Sequence, residues 1–207
     1  MALDHPGALV GRLVTLEPLA HEHHDGLVEA ARDGELWNLF YARVPMPDEM
    51  RAEIDRRLQL QRDGSMLPFV ARQSGTGRII GMTTYMNIDA ATPRVEIGST
   101  WNAASAQGTG TNPDSKLLLL QHAFDVWGCP AVEFRTDHNN HQSRAAIARL
   151  GAKQDGILRA HMRQPAGYVR DTVVFSIVAS EWPGVRIGLE RRVARHVGSS
   201  GAAPILG

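Results

Sequence analysis

The sequence predicts a single α/β domain built on a sheet of mixed strand direction. Short stretches alternate apolar and polar residues at the period of a strand, and longer ones carry apolar residues at helical spacing. Tight turns join some strands while helices connect others, so antiparallel and parallel neighbours are both expected. The length of 207 residues suits one domain, and 43% hydrophobic against 21% charged residues supplies an ordinary globular core.

The elements follow in order. "GRLVTLEPL" (residues 11–19) reads as a first strand, with Leu13, Thr15 and Glu17 alternating against Val14, Leu16 and Pro18. "HEHHDGLVEAARD" then reads as a helix. "PDEMRAEIDRRLQLQRDG" is a clearer one, with Met50, Ile54, Leu58 and Gln61 on one stripe and Gly64 at its end. "MLPFVARQ" and "RIIGMTTYMNI" form a strand pair around the turn "SGTG" (residues 74–77), and "RVEIGSTW" (residues 94–101) is a further strand. The next helix carries the best start signal in the chain. Asn112 is its N-cap, Pro113 its first residue and Asp114 a complement to its dipole. Leu117, Leu120, Phe124 and Trp127 continue it until Gly128. "AVEFRTDHN" is a strand and "NHQSRAAIARLG" a short helix capped by Asn140 and closed by Gly151. "AKQDGILRAHMRQ" and "VRDTVVFSIVASEW" close the domain as an antiparallel pair around "PAG". The domain is expected over residues 8–183, a helical extension over 184–197 and a disordered tail over 198–207.

Composition excludes several functions. Lys+Arg and Asp+Glu number 22 each, so no global basic field directs the chain to nucleic acid. Lys116 and Lys153 are the only lysines. The single cysteine, Cys129, permits no internal disulfide and no cysteine metal cluster, and reads as a small buried hydrophobe. "MALDHPGALVG" lacks the pattern of a signal peptide, and no run of about 18 apolar residues exists to cross a membrane. A soluble cytoplasmic protein is expected. His21, Glu22, His23 and His24 read as a solvated helix start rather than a metal site, because adjacent helical residues point apart. Arg186, Arg191, Arg192 and Arg195 read as the solvated face of a terminal helix.

"AQGTGTNPDSKLLLLQHAF" (residues 106–124) joins a glycine loop to a helix N-terminus, where free N–H groups and the helix dipole favour an anion. A dinucleotide fingerprint fails because Pro113 stands where the third glycine belongs, and no Walker motif is present. The pyrophosphate of coenzyme A and a simple tight turn both remain open from the loop alone.

The ordered set of motifs strongly resembles the GNAT superfamily of N-acetyltransferases, and within it the branch that acetylates ribosomal-protein N-termini. The set comprises the strand at 94–101, the loop at 105–111, the helix from Asn112 and the strand at 131–137. It continues with "Asn140-x-x-Ser143" and "Leu150-Gly151-Ala152", then "Asp155-Gly156-Ile157-Leu158-Arg159" and "Arg170-Asp171-x-x-Val174-Phe175-Ser176". The resemblance runs from about Arg12 to Trp182. It implies a mixed, mostly antiparallel twisted sheet of about seven strands flanked by about four helices, with acetyl-CoA as co-substrate and no metal. It also implies that the strand at 94–101 splays from the strand at 131–137, the coenzyme's pantetheine arm filling the gap; Gly98 would suit the bulge that opens it.

By the same resemblance the coenzyme is held by Ile97, Gly98, Ser99, Gly108, Thr109, Gly110, Thr111, Asn112, Asn140 and Ser143. Ser105 departs from the Arg or Gln usual at its position. Gln107 can be read there instead, or Lys116 can compensate from one turn into the helix. Glu96 is the candidate general base, since an acid inside a covered sheet is costly unless paired or used; pairing with Arg94 or an exposed arginine is the plain alternative. Asn140 would bond the pantetheine arm and Ser143 would protonate the departing thiolate, although both residues also suit a helix cap. Trp37, Phe40 and Tyr41 lie where the family builds its acceptor wall, and Trp101 is similar; core packing is the competing fate. An N-acetyltransferase acting by direct attack on a primary amine follows, the acceptor being a protein N-terminus or a small molecule. A non-catalytic acyl-CoA sensor on the same fold is the alternative. No membrane or nucleic-acid partner is expected, and a homodimer is left open.

Overall fold

Alternating side chains build the strands and place them side by side in one eight-stranded sheet. Residues 3, 6–38, 44–164 and 167–199 are described by the computed structural model of the chain. The strands are β1 (Leu9–Val10), β2 (Val14–Pro18), β3 (Met66–Gln73), β4 (Ile79–Asp89), β5 (Arg94–Asn102), β6 (Ala131–Asp137), β7 (Lys153–Arg163) and β8 (Val169–Val178). They lie in the order β1-β2-β3-β4-β5-β6-β8-β7. Every pair is antiparallel except β5–β6, which the crossover through α3 (Thr111–Gln121) makes parallel. The remaining helices are α1 (His24–Arg32), α2 (Met50–Arg62), α4 (His141–Leu150) and α5 (Trp182–Ser199).

Among the described residues, eight strands and five helices stand where about seven and about four were expected. The added strand, β1, is folded back on β2 by a turn at Gly11, whose N–H reaches the carbonyl of Val14 (2.9 Å). Asp114 holds that turn from α3. Its carboxylate accepts from Leu13 N (2.7 Å) and Val14 N (3.1 Å), and it occupies the space a side chain at Gly11 would need. The residue expected to complement a dipole is thus also a long-range anchor. The added helix, α5, begins two residues before the extension expected at 184 and reaches Ser199, inside the stretch expected to be disordered. Residues 200–207 lie outside the described residues.

Two helix ends differ from expectation. α3 starts at Thr111 with Gly110 as its N-cap, two residues before the expected cap Asn112. Gly110 adopts φ +87, which a glycine reaches at little cost, and the hydroxyls of Thr109 and Thr111 tie the loop to the carbonyl of Ala106. Pro113 then falls at the third position, where its missing N–H is still unused. At the other end the helix does not run evenly to Trp127: a π-turn spans His122–Val126. The hydroxyl of Tyr85 donates to the carbonyl of Leu119 (2.5 Å), competing for the acceptor that Ala123 would use in an α-helix.

The core lies on both faces of the sheet. α5 docks on the π-turn, with Trp182 stacked on Phe124 (centroids 5.3 Å apart) and its indole N–H donating to Asp125 (2.8 Å). Cys129 is buried, as expected. His23 corrects the reading of a solvated helix start. It is buried in a short 3-10 turn, its Nδ1 accepts from Ala20 N (3.1 Å), and its Nε2 lies 3.4 Å from Glu17. Among the described residues, no group of three or more His, Cys, Asp or Glu is placed to hold a metal, and no helix is long and apolar enough to cross a membrane.

Candidate active site

The parallel pairing of β5 with β6 lasts three residues, from Arg94–Ala131 to Glu96–Glu133. Beyond Glu96 the strands part, and β6 continues only with β8 on its far side. Gly98 and Trp101 of β5 oppose Thr84 and Met82 of β4, so β5 uses one residue more than its partner over this interval. Ser99 takes the left-handed conformation (φ +46). The bulge expected at Gly98 is therefore centred one residue later. Gly98 has a different role: a Cβ there would lie 2.9 Å from Glu96 Oε1 and from Met86 Sδ.

The parted strands open a cleft of about 480 Å³, lined by residues of β5 and β6, the glycine loop, the start of α3 and one side of α4. Of the residues singled out from the sequence, Glu96, Ile97, Gly98, Ser99 and Trp101 line it from β5. Gly108, Asn112 and Lys116 line it from the loop and α3, and Asn140 and Ser143 from α4. Thr109, Gly110 and Thr111 are not part of the lining. Gly110 backs onto α5, where a Cβ would lie 2.6 Å from the ring of His196. Trp37 packs at the edge of the core, and its neighbour Leu36 lines the cleft. Phe40 and Tyr41 lie outside the described residues.

Glu96 is 5% exposed, and burial pushes its carboxyl above the ordinary carboxylate range. A hydrogen bond from Asn87 Nδ2 to Oε2 (2.6 Å) and the charge of Arg135 (3.5 Å) act against that rise. Arg94 is engaged elsewhere, with Glu133 (2.5 Å). Among the described residues Oε1 of Glu96 accepts no hydrogen bond, and it stands beside the space left by Gly98.

Asn140 caps α4 by accepting from Ser143 N (2.9 Å), while the Ser143 hydroxyl makes no hydrogen bond among the described residues. Ser105 turns away from the cleft: its N–H and hydroxyl both donate to the carboxylate of Asp33. Gln107 faces the cleft, donating to Asn102 O (3.3 Å) and accepting from Gln142 Nε2 (3.4 Å), so it bridges β5 to α4. Lys116 does not extend along the loop. Its Nζ donates to Thr83 Oγ1 (2.9 Å) and Thr100 Oγ1 (2.7 Å), and burial holds its pKa down to about 7.

Sequence reasoning missed Asp137 and Tyr168 at the far end of β6. Asp137 is buried, lines the cleft, and accepts from the Tyr168 hydroxyl (2.6 Å) and from Asn139 N (2.9 Å). Asp137 closes a strand that runs straight into Asn140, which was the available signal. The indole N–H of Trp101 is also notable, being buried beside the cleft with no acceptor among the described residues.

Comparison with known proteins agrees with this architecture. Residues 13–153 match the family model described as Acetyltransferase (GNAT) domain. A Bacillus subtilis protein named "Putative ribosomal N-acetyltransferase YdaF" is 29% identical over 108 residues, or 52% of this chain and 58% of that protein. The chain thus matches little more than half the length of that relative. A GCN5-related N-acetyltransferase from Brucella melitensis is 29% identical in its crystal structure, with a TM-score of 0.80 over 93% of this chain and 87% of that one. Mycobacterium smegmatis RimJ, solved in complex with CoA-disulfide, is 22% identical and shares the fold at a TM-score of 0.71 over 94% and 93%. Splayed strands beside a glycine-capped helix, together with a family match over most of the domain, establish that this chain belongs to the GNAT family of N-acetyltransferases, for which acetyl-CoA is the co-substrate.

Proposed function

We propose that this chain acetylates a primary amine by direct attack on acetyl-CoA in the cleft between β5 and β6, with a protein N-terminus as the favoured acceptor class. One observation carries the reading: β5 loses its partner immediately after a buried carboxylate, beside the first turn of α3. The unpaired edge of β5 suits the extended, amide-containing pantetheine arm as an additional strand. The N–H groups of Thr111 and Asn112 in the first turn of α3 have no intrahelical partner, and with the helix dipole these suit the pyrophosphate. Asn112 and Gly108 bring that end to the cleft, and Gln107, which faces the cleft, suits the part of the polar loop residue that Ser105 does not play. Acetyl-CoA supplies the thioester carbon that the amine attacks.

The chain's own residues manage the protons. An amine is mostly protonated at neutral pH and must lose a proton before attack. Glu96 is placed to accept it at Oε1, directly or through one water, and its raised pKa makes it a stronger base than an exposed carboxylate. Ser143 presents from the α4 wall a hydroxyl without a hydrogen bond among the described residues, and it suits the departing thiolate. The named ribosomal relatives favour a protein acceptor over a small molecule.

The test is Glu96→Gln assayed against an amine panel that includes peptide N-termini. Its kcat falls by at least ~10-fold at neutral pH and partly recovers as rising pH deprotonates the amine unaided. Wild-type kcat across that range would remove Glu96 from the mechanism. Coenzyme binding without turnover on any amine would favour the sensor instead.

A further inference from the structure

Two buried cations meet the same irregular stretch of β5 from opposite layers. Arg57 of α2 donates to Thr84 Oγ1 (2.9 Å) and reaches the carbonyl of Ser99 from both terminal nitrogens (3.4 Å each). Its Nε is paired with Glu53 (2.7 Å). Lys116 of α3 donates to Thr83 and Thr100, whose hydroxyls lie 2.8 Å from each other. Thr83 and Thr84 are successive residues of β4 and therefore point to opposite faces of the sheet. The cations thus hold Ser99 and Thr100, the residues around the bulge, from the α2 side and the α3 side.

Such placement is costly, because each cation leaves water to be buried. Arg57 is 1% exposed and Lys116 is 5% exposed. Among the described residues Lys116 has no carboxylate partner, and an apolar side chain would fill its place more cheaply. What the two cations share is the bulge. It lies where β5 has left β6, with Ser99 held at φ +46 and Thr100 lining the cleft. Lys116 also sits one turn beyond Asn112, so it couples the N-terminus of α3 to β5.

We propose that Arg57 and Lys116 are positioning residues, a two-sided clamp on Ser99–Thr100 that sets the β5–β6 opening and the seat of α3 for coenzyme. The proposal rests on the cleft being the coenzyme site. The clamp acts through Thr83, Thr84 and the bulge, so it governs coenzyme affinity and leaves the affinity for the amine largely alone.

Calorimetry of the full chain with coenzyme A, together with acetyl-CoA and amine KM values, tests this. Thr100→Val, near-isosteric but lacking the hydroxyl that Lys116 reaches, weakens coenzyme A by about tenfold, the scale of one lost buried hydrogen bond, while Thr100→Ser stays within about twofold of wild type. The amine KM is unchanged in both. Lys116→Met raises Tm by removing a buried ionisable amine, yet weakens coenzyme A as Thr100→Val does. Equal binding by the Val and Ser variants, or a Lys116→Met protein whose affinity stays at the wild-type level, overturns the clamp. Arg57→Lys keeps the charge but loses the two-nitrogen contact, and wild-type affinity in that folded variant overturns the two-sided arrangement. Wild-type protein that binds no coenzyme A overturns the cleft assignment and the clamp together.

Discussion

At residue scale, one side chain serves two purposes at Asn140. Its Oδ1 caps α4, and its Nδ2 remains free among the described residues for a ligand in the cleft. Asn140→Asp therefore keeps the cap and the stability of the helix while losing the donor. Asn140→Ala loses both and costs about 1 kcal/mol in stability. Coenzyme affinity should fall in both variants, with Tm falling only in the second; an Asp variant that binds normally would leave Asn140 as a cap alone. Two buried ionisable groups carry opposite linkage to pH. Lys116 has its folded pKa at about 7 against an ordinary 10.5, so the unfolded chain binds more protons between these values. Stability should rise with pH through that window, and Lys116→Met should flatten the rise in urea titrations run at pH 7 and above. Glu96 is raised instead, so its folded form holds the proton longer and stability is lost as pH climbs past the unfolded value near 4.5.

At the scale of elements, the decisive one is α3. Its first turn faces the cleft, its fourth residue anchors the β1–β2 turn, and its sixth enters the sheet beneath the bulge. The π-turn that follows begins three residues beyond Leu119, whose carbonyl accepts from the Tyr85 hydroxyl. Tyr85→Phe should cost about 1 kcal/mol, the usual net value of such a hydrogen bond, measured by chemical denaturation. An unchanged midpoint would mean that the packing of Trp127 against Tyr85 (4.7 Å between ring centroids) sets the turn by itself.

At the scale of the whole molecule, α5 is part of the site's support. Leu189 and Val193 are buried on it, and His196 presses against Gly110, the cap of α3. Gly110→Ala should destabilise the protein by about 1–3 kcal/mol, combining an unfavourable positive φ with a contact at 2.6 Å to His196. Adding His196→Ala should recover the steric part and leave the conformational part. Strictly additive losses in that double-mutant cycle would show that α5 does not back the loop. The same contact changes how a bulky residue at Gly110 is understood: it would strike α5 before it reached any phosphate.

Periodicity and punctuation in the sequence determined the order of the main strands and helices and the glycine loop before α3, strand alternation singled out Glu96, and the resemblance to the GNAT superfamily brought in Asn140 and Ser143. These are local signals, each written within a few residues, and the fold and family expected from them agree with what is observed. Only the tertiary structure decided how side chains of unremarkable local context are used. Asp114 reaches a turn 100 residues away, Lys116 and Arg57 turn inward rather than toward solvent, Gln107 faces the cleft where Ser105 does not, and His23 is buried. The physical reason is common to all of them. Secondary structure is selected by dihedral preference and apolar spacing, which a short window contains, whereas the cost of burying a polar group is offset only by a partner that the folded chain brings from elsewhere.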